Sequence, residues 1–177
     1  MSDLGFQVPP LGRRKIRAIA AQVRAAFGMK EAWLPIVELL DLVIPRIQPE
    51  FRLIVCSRGE MGELHAVVGP DDPIIRVRED VYLGACEGKG RDRGTLAHEF
   101  GHLLLHLRPG YARSLARPRV QRYRTSEWQA KAFAGELLCS ARHLSGLTSP
   151  EAMAARFGVS LASATVQWEK FREAGLI

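Results

Sequence analysis

The sequence predicts an α+β domain: a small antiparallel sheet of about three strands packed with one functional helix, further helices and a C-terminal helical pair. Apolar residues recur at three- and four-residue steps over several long stretches, which is typical of amphipathic helices. The middle of the chain holds three short runs rich in valine, isoleucine and leucine, each bounded by glycine, proline or aspartate. The length of 177 residues is sufficient for one domain with its own core.

The N-terminal part is predicted to contain a flexible start followed by two helices. Residues 1–12 carry no clear periodicity and read as the flexible start. Residues 13–27 place their apolar side chains on one face and arginines on the other, and Gly28 ends this helix. A second helix is predicted over residues 35–43, with a proline in its first turn.

The predicted strands cover residues 51–56, 64–68 and 74–77, with turn residues between them. The short connections favour an antiparallel arrangement. An edge strand of such a sheet can bind an extended peptide through main-chain hydrogen bonds. Residues 78–93 contain three glycines and many charges, and we interpret them as a polar loop.

Residues 94–107 form a predicted amphipathic helix that carries the strongest chemical signal in the chain, His98-Glu99-x-x-His102. Residues four apart on a helix lie on one face, about 6 Å apart along the axis. Two imidazoles in this arrangement can bind one zinc ion at ~2.0–2.1 Å each. Glu99 lies beside them, where it can accept a proton from a water that the metal activates.

A zinc site of this kind needs a third protein ligand and an open position for water. His106 lies eight residues after His98, about 12 Å further along the helix and rotated by about 80°, so we do not expect both to reach one ion. A helix predicted over residues 126–138 offers Glu127 and Glu136, which point to opposite faces. Glu127 shares its face with alanines that permit close packing and is favoured, with Glu136 or no ligand from this helix as the alternatives.

The two helices carry motifs that together resemble a known family. The motifs read Arg91-x-Arg93-x-Thr-Leu-Ala-His-Glu-x-Gly-His-Leu-Leu-Leu-His and Glu127-x-x-Ala130-x-x-Phe133-Ala134-x-x-Leu137-Leu138. They are similar to those of the ImmA/IrrE zinc metallopeptidases, which are gluzincin-like. The resemblance implies that His98, His102 and Glu127 bind one Zn²⁺ per chain and that Glu99 is the general base. It also implies a cytoplasmic endopeptidase whose protein substrate is a helix-turn-helix transcriptional repressor, so that cleavage regulates mobile-element or stress genes.

Two positions depart from the family's pattern. Lys131 stands where Asn or Asp is usual, and Cys139-Ser140 stands where Met-Pro is frequent. Lys131 follows Glu127 by four residues, a spacing that suits an ion pair on a helix. Such a pair would compete with the metal for the carboxylate.

Three further side chains are candidates for contacts with the transition state or the substrate: Tyr111, Tyr123 and His143. A phenol or a cation near the metal can stabilise the oxyanion that forms during peptide hydrolysis. Both tyrosines lie in the arginine-rich stretch 108–124 between the two motifs. That stretch can contact an acidic part of the substrate, or it can be a solvated loop.

The C-terminal residues 146–177 read as a helical pair that closes the same domain, which begins at residue 13. A Gly-Val-Ser turn at 158–160 joins the two helices, an order similar to a helix-turn-helix motif. The second helix begins without Arg or Asn, the side chains suited to reading base edges. We therefore favour a structural role for this pair over direct nucleic-acid binding.

Composition says less about function and location than the motifs do. The net charge of +6 and the pI of about 9.6 are typical of nucleic-acid binding, but the chain has 20 arginines and only 5 lysines, which codon usage alone can produce. Three cysteines without paired spacing indicate free thiols in a reducing compartment, in agreement with a cytoplasmic location. No signal sequence or membrane span is expected. The alternatives to a peptidase are a DNA-binding regulator and a non-cleaving zinc-dependent sensor or scaffold.

Overall fold

The computed structural model describes residues 5–69, 72–107 and 120–177 and has the α+β architecture that the sequence predicts. A three-stranded sheet packs against a central pair of helices, and shorter helices complete the core. In chain order the elements are α1 (Arg13–Ala26), α2 (Ile36–Glu38), a π-helical turn (Leu39–Val43), α3 (Ile44–Ile47), β1 (Arg52–Cys56), α4 (Arg58–Met61), β2 (Ala66–Val68), β3 (Ile74–Arg78), α5 (Glu79–Cys86), α6 (Gly90–His106), α7 (Ser126–Leu138), α8 (Pro150–Phe157) and α9 (Leu161–Glu173).

The sheet is mixed, with the strand order β1-β3-β2. β2 and β3 pair antiparallel, whereas β1 and β3 pair parallel. The predicted antiparallel sheet is therefore right for the β2–β3 pair and wrong for the β1–β3 pair. The chain passes through α4 between β1 and β2, these two strands do not pair, and β3 occupies the central position. This order leaves β2 at the edge of the sheet that contacts α6.

The predicted polar loop over residues 78–93 is wrong, because this stretch contains α5 and the first turn of α6. Its glycines permit close packing. A Cβ added to Gly84 would lie 2.0 Å from Oδ2 of Asp92, and one on Gly90 would lie 2.3 Å from the carbonyl carbon of Val159. Helix α6 therefore begins at Gly90, four residues before the predicted start.

The helices α6 and α7 pack closely in the centre of the domain. A Cβ added to Gly101 would lie 3.2 Å from the Cα atom of Ala130 and 3.1 Å from Cδ1 of Phe133. The rings of Phe100 and Phe133 meet edge to face with their centroids 5.9 Å apart. The small residues on the facing surfaces thus fix a short distance between the helix that carries the histidine motif and the helix that carries Glu127.

The opposite face of α7 packs against α1. The side chain of Glu136 is fully buried there and accepts hydrogen bonds from Arg13 Nη1 at 3.2 Å and from Arg17 Nε at 2.8 Å. The prediction that Glu127 and Glu136 point to opposite faces is confirmed. Glu136 holds α7 against α1 and faces away from α6.

The segment before α1 contacts the start of α7. The sequence predicted a flexible start over residues 1–12; in the structure, the Val8 amide donates to the Arg124 carbonyl at 2.9 Å and the Leu11 amide donates to the Tyr123 carbonyl at 3.1 Å. These main-chain hydrogen bonds connect the N-terminal segment to the turn that precedes α7.

The C-terminal pair α8 and α9 is joined by the predicted turn, and each end of α8 is capped. The Ser149 side chain accepts from the Ala152 amide at 3.2 Å, and Gly158 takes the left-handed conformation that ends α8. The buried Arg93 of α6 donates to the carbonyls of Phe157 and Gly158. Of the helices that the structure describes, none combines the length and the apolar character that a membrane crossing requires.

Candidate metal centre

Three metal-binding side chains converge where α6 and α7 meet. His98 and His102 lie on successive turns of α6, and their Nε2 atoms are 3.0 Å apart. Glu127, in the first turn of α7, places Oε2 3.3 Å from His98 Nε2 and Oε1 3.1 Å from His102 Nε2. Among the described residues, these three form the group of imidazole and carboxylate donors that can hold one metal ion.

The spacing of the donor atoms fits a small metal ion. Ligands at ~2.0–2.1 Å from a tetrahedral zinc are about 3.3–3.4 Å from one another, close to the 3.0–3.3 Å observed here. Two imidazoles and one carboxylate are a donor set that zinc prefers in catalytic sites. The three side chains are 17–28% exposed, so the group is partly open to solvent.

The local sequence explains why Glu127 occupies this place. The Thr125 side chain caps α7 by accepting from the Trp128 amide, which starts the helix at Ser126 and puts Glu127 in its first turn. Close polar contacts with the imidazoles of His102 and then His98 hold the pKa of the Glu127 carboxyl well below its usual range. The side chain is therefore anionic at neutral pH, the state in which it binds a metal.

Glu99 lies beside this group but is held by the sheet. Its Oε2 accepts a hydrogen bond from the Val68 amide at 3.0 Å. The residue is only 9% exposed. Burial raises the pKa of the Glu99 carboxyl, while the nearby His102 and the Val68 amide act in the opposite direction. The arrangement fixes one carboxylate oxygen of Glu99 against the main chain of β2.

His106 does not join the three donors, in agreement with the helical geometry. Its Nδ1 lies 3.3 Å from Nδ1 of His102, and its Nε2 lies 3.0 Å from Oε1 of Gln129. Burial lowers the pKa of His106 to about 4, so its imidazole is neutral at pH 7. His106 thus contacts Nδ1 of His102, whereas Nε2 of His102 faces the other two donors.

Of the three side chains predicted to contact the transition state or the substrate, the two that the structure describes are not part of the donor group. Tyr123 lies just before α7, is 40% exposed, and donates its hydroxyl hydrogen to Gln121. His143 lies beyond the far end of α7, which spans about 16 Å between Glu127 and its last residue. Tyr111 lies outside the described residues.

Lys131 does not compete for the metal ligand. The side chain is exposed, and none of the ion pairs formed within residues 5–69, 72–107 and 120–177 involves it. Glu127 is instead directed to the two histidines. The ion pair expected from the four-residue spacing is therefore absent in this structure.

Two groups that contact neighbours of the three donors could not be predicted from the sequence. The Val68 amide was not identified because a main-chain donor leaves no sequence signal. Gln129 gives only a weak sequence signal for a role near the centre. It is a polar residue two positions after the predicted ligand Glu127. It is 2% exposed and lies directly behind His106.

Comparison with known proteins identifies the family of the region that holds this centre. A family model described as the IrrE N-terminal-like domain, of the peptidase family M78, matches residues 60–169, which is more than half of the chain. The matched region contains β2, β3 and both helices of the candidate centre. No curated protein matches the chain.

Proposed function

This chain belongs to the IrrE N-terminal-like family of peptidases, and we propose that it is a zinc-dependent metalloendopeptidase in which His98, His102 and Glu127 hold the metal. The observation that carries the proposal is the convergence of these three donors, with distances of 3.0–3.3 Å, beside the oriented carboxylate of Glu99. A purely structural zinc site would enclose the ion with four protein ligands, whereas three ligands and an accessible fourth position favour catalysis.

Glu99 is the proposed general base. When bound, zinc supplies Lewis-acid chemistry, which acidifies water and polarises a carbonyl oxygen. The Val68 amide holds Oε2 of Glu99, so Oε1 accepts a proton from the attacking water. Glu99 then passes this proton to the amine nitrogen that leaves when the peptide bond breaks.

The outer edge of β2 is the proposed position of the substrate backbone. Hydrogen bonds from Arg78 to the His65 carbonyl and from Gly69 to the Ile74 carbonyl show that alternate residues of this strand face β3. By the alternation of an antiparallel pair, Ala66 and Val68 direct their main-chain groups outward. The Val68 amide is bonded to Glu99, so the Ala66 main chain and the Val68 carbonyl are the groups proposed to pair with a substrate. An extended substrate segment that pairs with this edge would pass next to Glu99.

The proposed substrate is a helix-turn-helix repressor, as the family resemblance implies, and its cleavage would release transcription of mobile-element or stress genes. Recognition through the main chain at a short edge strand makes few demands on substrate sequence. The remaining selectivity has to come from surfaces outside the strand.

The metal assignment is tested by elemental analysis of the purified protein. We expect about one zinc per chain in the wild type and a large loss in Glu127→Ala and in His102→Ala. Glu99→Gln is the matched control, because it changes an acidic residue next to the ligands and should keep its zinc. Zinc retained in Glu127→Ala would refute the third ligand, and iron in place of zinc would refute the assignment of zinc as the metal.

Cleavage is tested with a purified helix-turn-helix repressor encoded beside the gene of this protein. The zinc-loaded wild type should convert the repressor to two fragments, and Glu99→Gln should bind zinc but fail to cut. Binding of the intact repressor by both forms, without fragments, would instead establish the non-cleaving sensor.

The structure does not favour a DNA reader. In a helix-turn-helix protein the turn and the start of the second helix enter the major groove. Here the turn before α9 is held by Arg93 and packs on Gly90, and the exposed start of α9 carries leucine, alanine and serine.

A further inference from the structure

A chain of hydrogen-bonding groups extends from the metal ligand His102 into the interior. Nδ1 of His102 meets Nδ1 of His106 at 3.3 Å, and Nε2 of His106 meets Oε1 of Gln129 at 3.0 Å. Gln129 continues the chain to main-chain carbonyls of the N-terminal segment and of the turn before α7. Nothing in the reaction described above requires His106 or Gln129.

The orientation of the Gln129 amide is fixed by its surroundings. Its Nε2 donates to the carbonyl of Pro9 and to the carbonyl of Tyr123, both at 2.8 Å. Both neighbours accept hydrogen bonds only, so the NH₂ group must face them. The residue is 2% exposed, and a rotated amide would place its oxygen opposite two carbonyl oxygens. Oε1 of Gln129 therefore faces His106 as an acceptor.

The acceptor at Gln129 determines the proton positions on both histidines. Oε1 of Gln129 accepts the hydrogen on Nε2 of His106, and the His106 tautomer that carries its hydrogen there keeps a lone pair on Nδ1. The contact between the two Nδ1 atoms then needs a hydrogen on Nδ1 of His102. In this tautomer the lone pair of His102 lies on Nε2, the atom directed toward Glu127 and His98.

We propose that His106 and Gln129 are positioning residues that fix His102 in its metal-binding tautomer and ring orientation. This inference rests on the proposed zinc site. Its consequence is that metal affinity depends on groups that never touch the metal, including a carbonyl of the N-terminal segment. Hydrogen-bonding partners behind a metal-ligating histidine typically contribute about 10–100-fold to metal affinity.

Two substitutions of His106 separate positioning from packing. The side-chain amide of His106→Asn can place an acceptor near the former Nδ1 and so retain the hydrogen bond from Nδ1 of His102. It is too short to keep the hydrogen bond to Gln129. The longer amide of His106→Gln can retain the donor to Gln129 but has no group at the former Nδ1. A structural role would make His106→Gln the milder change, because it keeps the buried Gln129 paired; the positioning role makes His106→Asn the milder one.

The measurement is zinc affinity by competition with a chromophoric chelator, with thermal unfolding in EDTA as the folding control. We expect His106→Asn to bind zinc within about threefold of the wild type and His106→Gln to bind it about 10–100-fold more weakly. Equal affinities in the three proteins, or equal losses in both variants, would overturn the inference while leaving the zinc site intact. A wild type that binds no zinc would overturn the proposed function as well.

A spectroscopic measurement on the wild type keeps the test independent of any variant that folds poorly. In the zinc-loaded protein labelled with ¹⁵N-histidine, the hydrogen on Nδ1 of His102 should show a scalar coupling across the hydrogen bond to Nδ1 of His106. A hydrogen found on Nδ1 of His106 would contradict the proposed order of donors and acceptors.

Discussion

Replacing Gly101 by alanine tests whether the short distance between α6 and α7 sets the metal geometry. A Cβ at this position would lie 3.1–3.2 Å from Phe133 and from main-chain atoms of Ala130. The backbone of α7 cannot rotate away as a side chain can, so the helices must separate by a few tenths of an ångström. Metal–ligand distances tolerate deviations of only about 0.2 Å, and Glu127 would move with α7.

The magnitude follows from two opposing effects. Alanine is favoured over glycine inside a helix by about 1 kcal/mol, whereas overpacking typically costs about 1–3 kcal/mol. Gly94 provides the matched control, because it lies in the same helix and a Cβ there would have no neighbour within 4 Å. Helix propensity cancels when the free energies of unfolding of Gly94→Ala and Gly101→Ala are compared. The remaining difference is the packing cost of about 1–3 kcal/mol.

The assay is thermal unfolding with and without EDTA, together with zinc affinity. For a chain of this length 1 kcal/mol corresponds to about 2–4 °C in Tm, so in EDTA we expect Gly94→Ala to melt above the wild type and roughly 2–12 °C above Gly101→Ala. Zinc should bind more weakly to Gly101→Ala alone. Equal melting temperatures and equal zinc affinities for the two variants would refute the reasoning.

Three further predictions concern other contacts described above. Arg17→Met should lower the free energy of unfolding by about 1.5–3 kcal/mol in urea titrations, because the buried Glu136 loses a charged donor, while zinc content stays at the wild-type level; an unchanged stability would contradict this. Lys131→Asn should leave zinc affinity unchanged in chelator competition, since no ion pair competes for the metal ligand among the described residues. Val68→Pro removes the amide that bonds Glu99, at an edge position where proline is tolerated. Without this bond the pKa of Glu99 rises, so the acid limb of the rate profile should move to higher pH than in the control Val68→Ala; superimposed profiles would speak against the contact.

Local spacing explains how much of the site the sequence could predict. The positions of His98, Glu99 and His102 relative to one another follow from helical geometry alone, and the structure brings the two histidines together as expected. Glu127 shares one face of α7 with small residues such as Ala130, and this face is the one that packs on α6, as the sequence indicated. These inferences needed no knowledge of the rest of the chain.

What the sequence could not provide depends on contacts between distant residues. Gly84 and Gly90 looked like loop residues, but they lie in helices where a neighbour leaves no room for a Cβ. One sequence does not distinguish a glycine selected for packing from a glycine selected for a turn. The parallel pairing of β1 with β3, and the order of donors behind His102, likewise become visible only when the chain has been placed in space.

The contact between Gln129 and Pro9 also bears on the order in which the protein matures. It joins positions 120 residues apart, whereas the three metal donors lie within one short stretch of the chain. Contacts between distant positions form late in folding because a long loop must close first. On the ribosome, the N-terminal segment emerges early and can dock only after α7 has followed. We therefore expect a nascent chain to bring the three candidate donors together before their orientation is fixed, so that full affinity for a metal arises only in the finished domain.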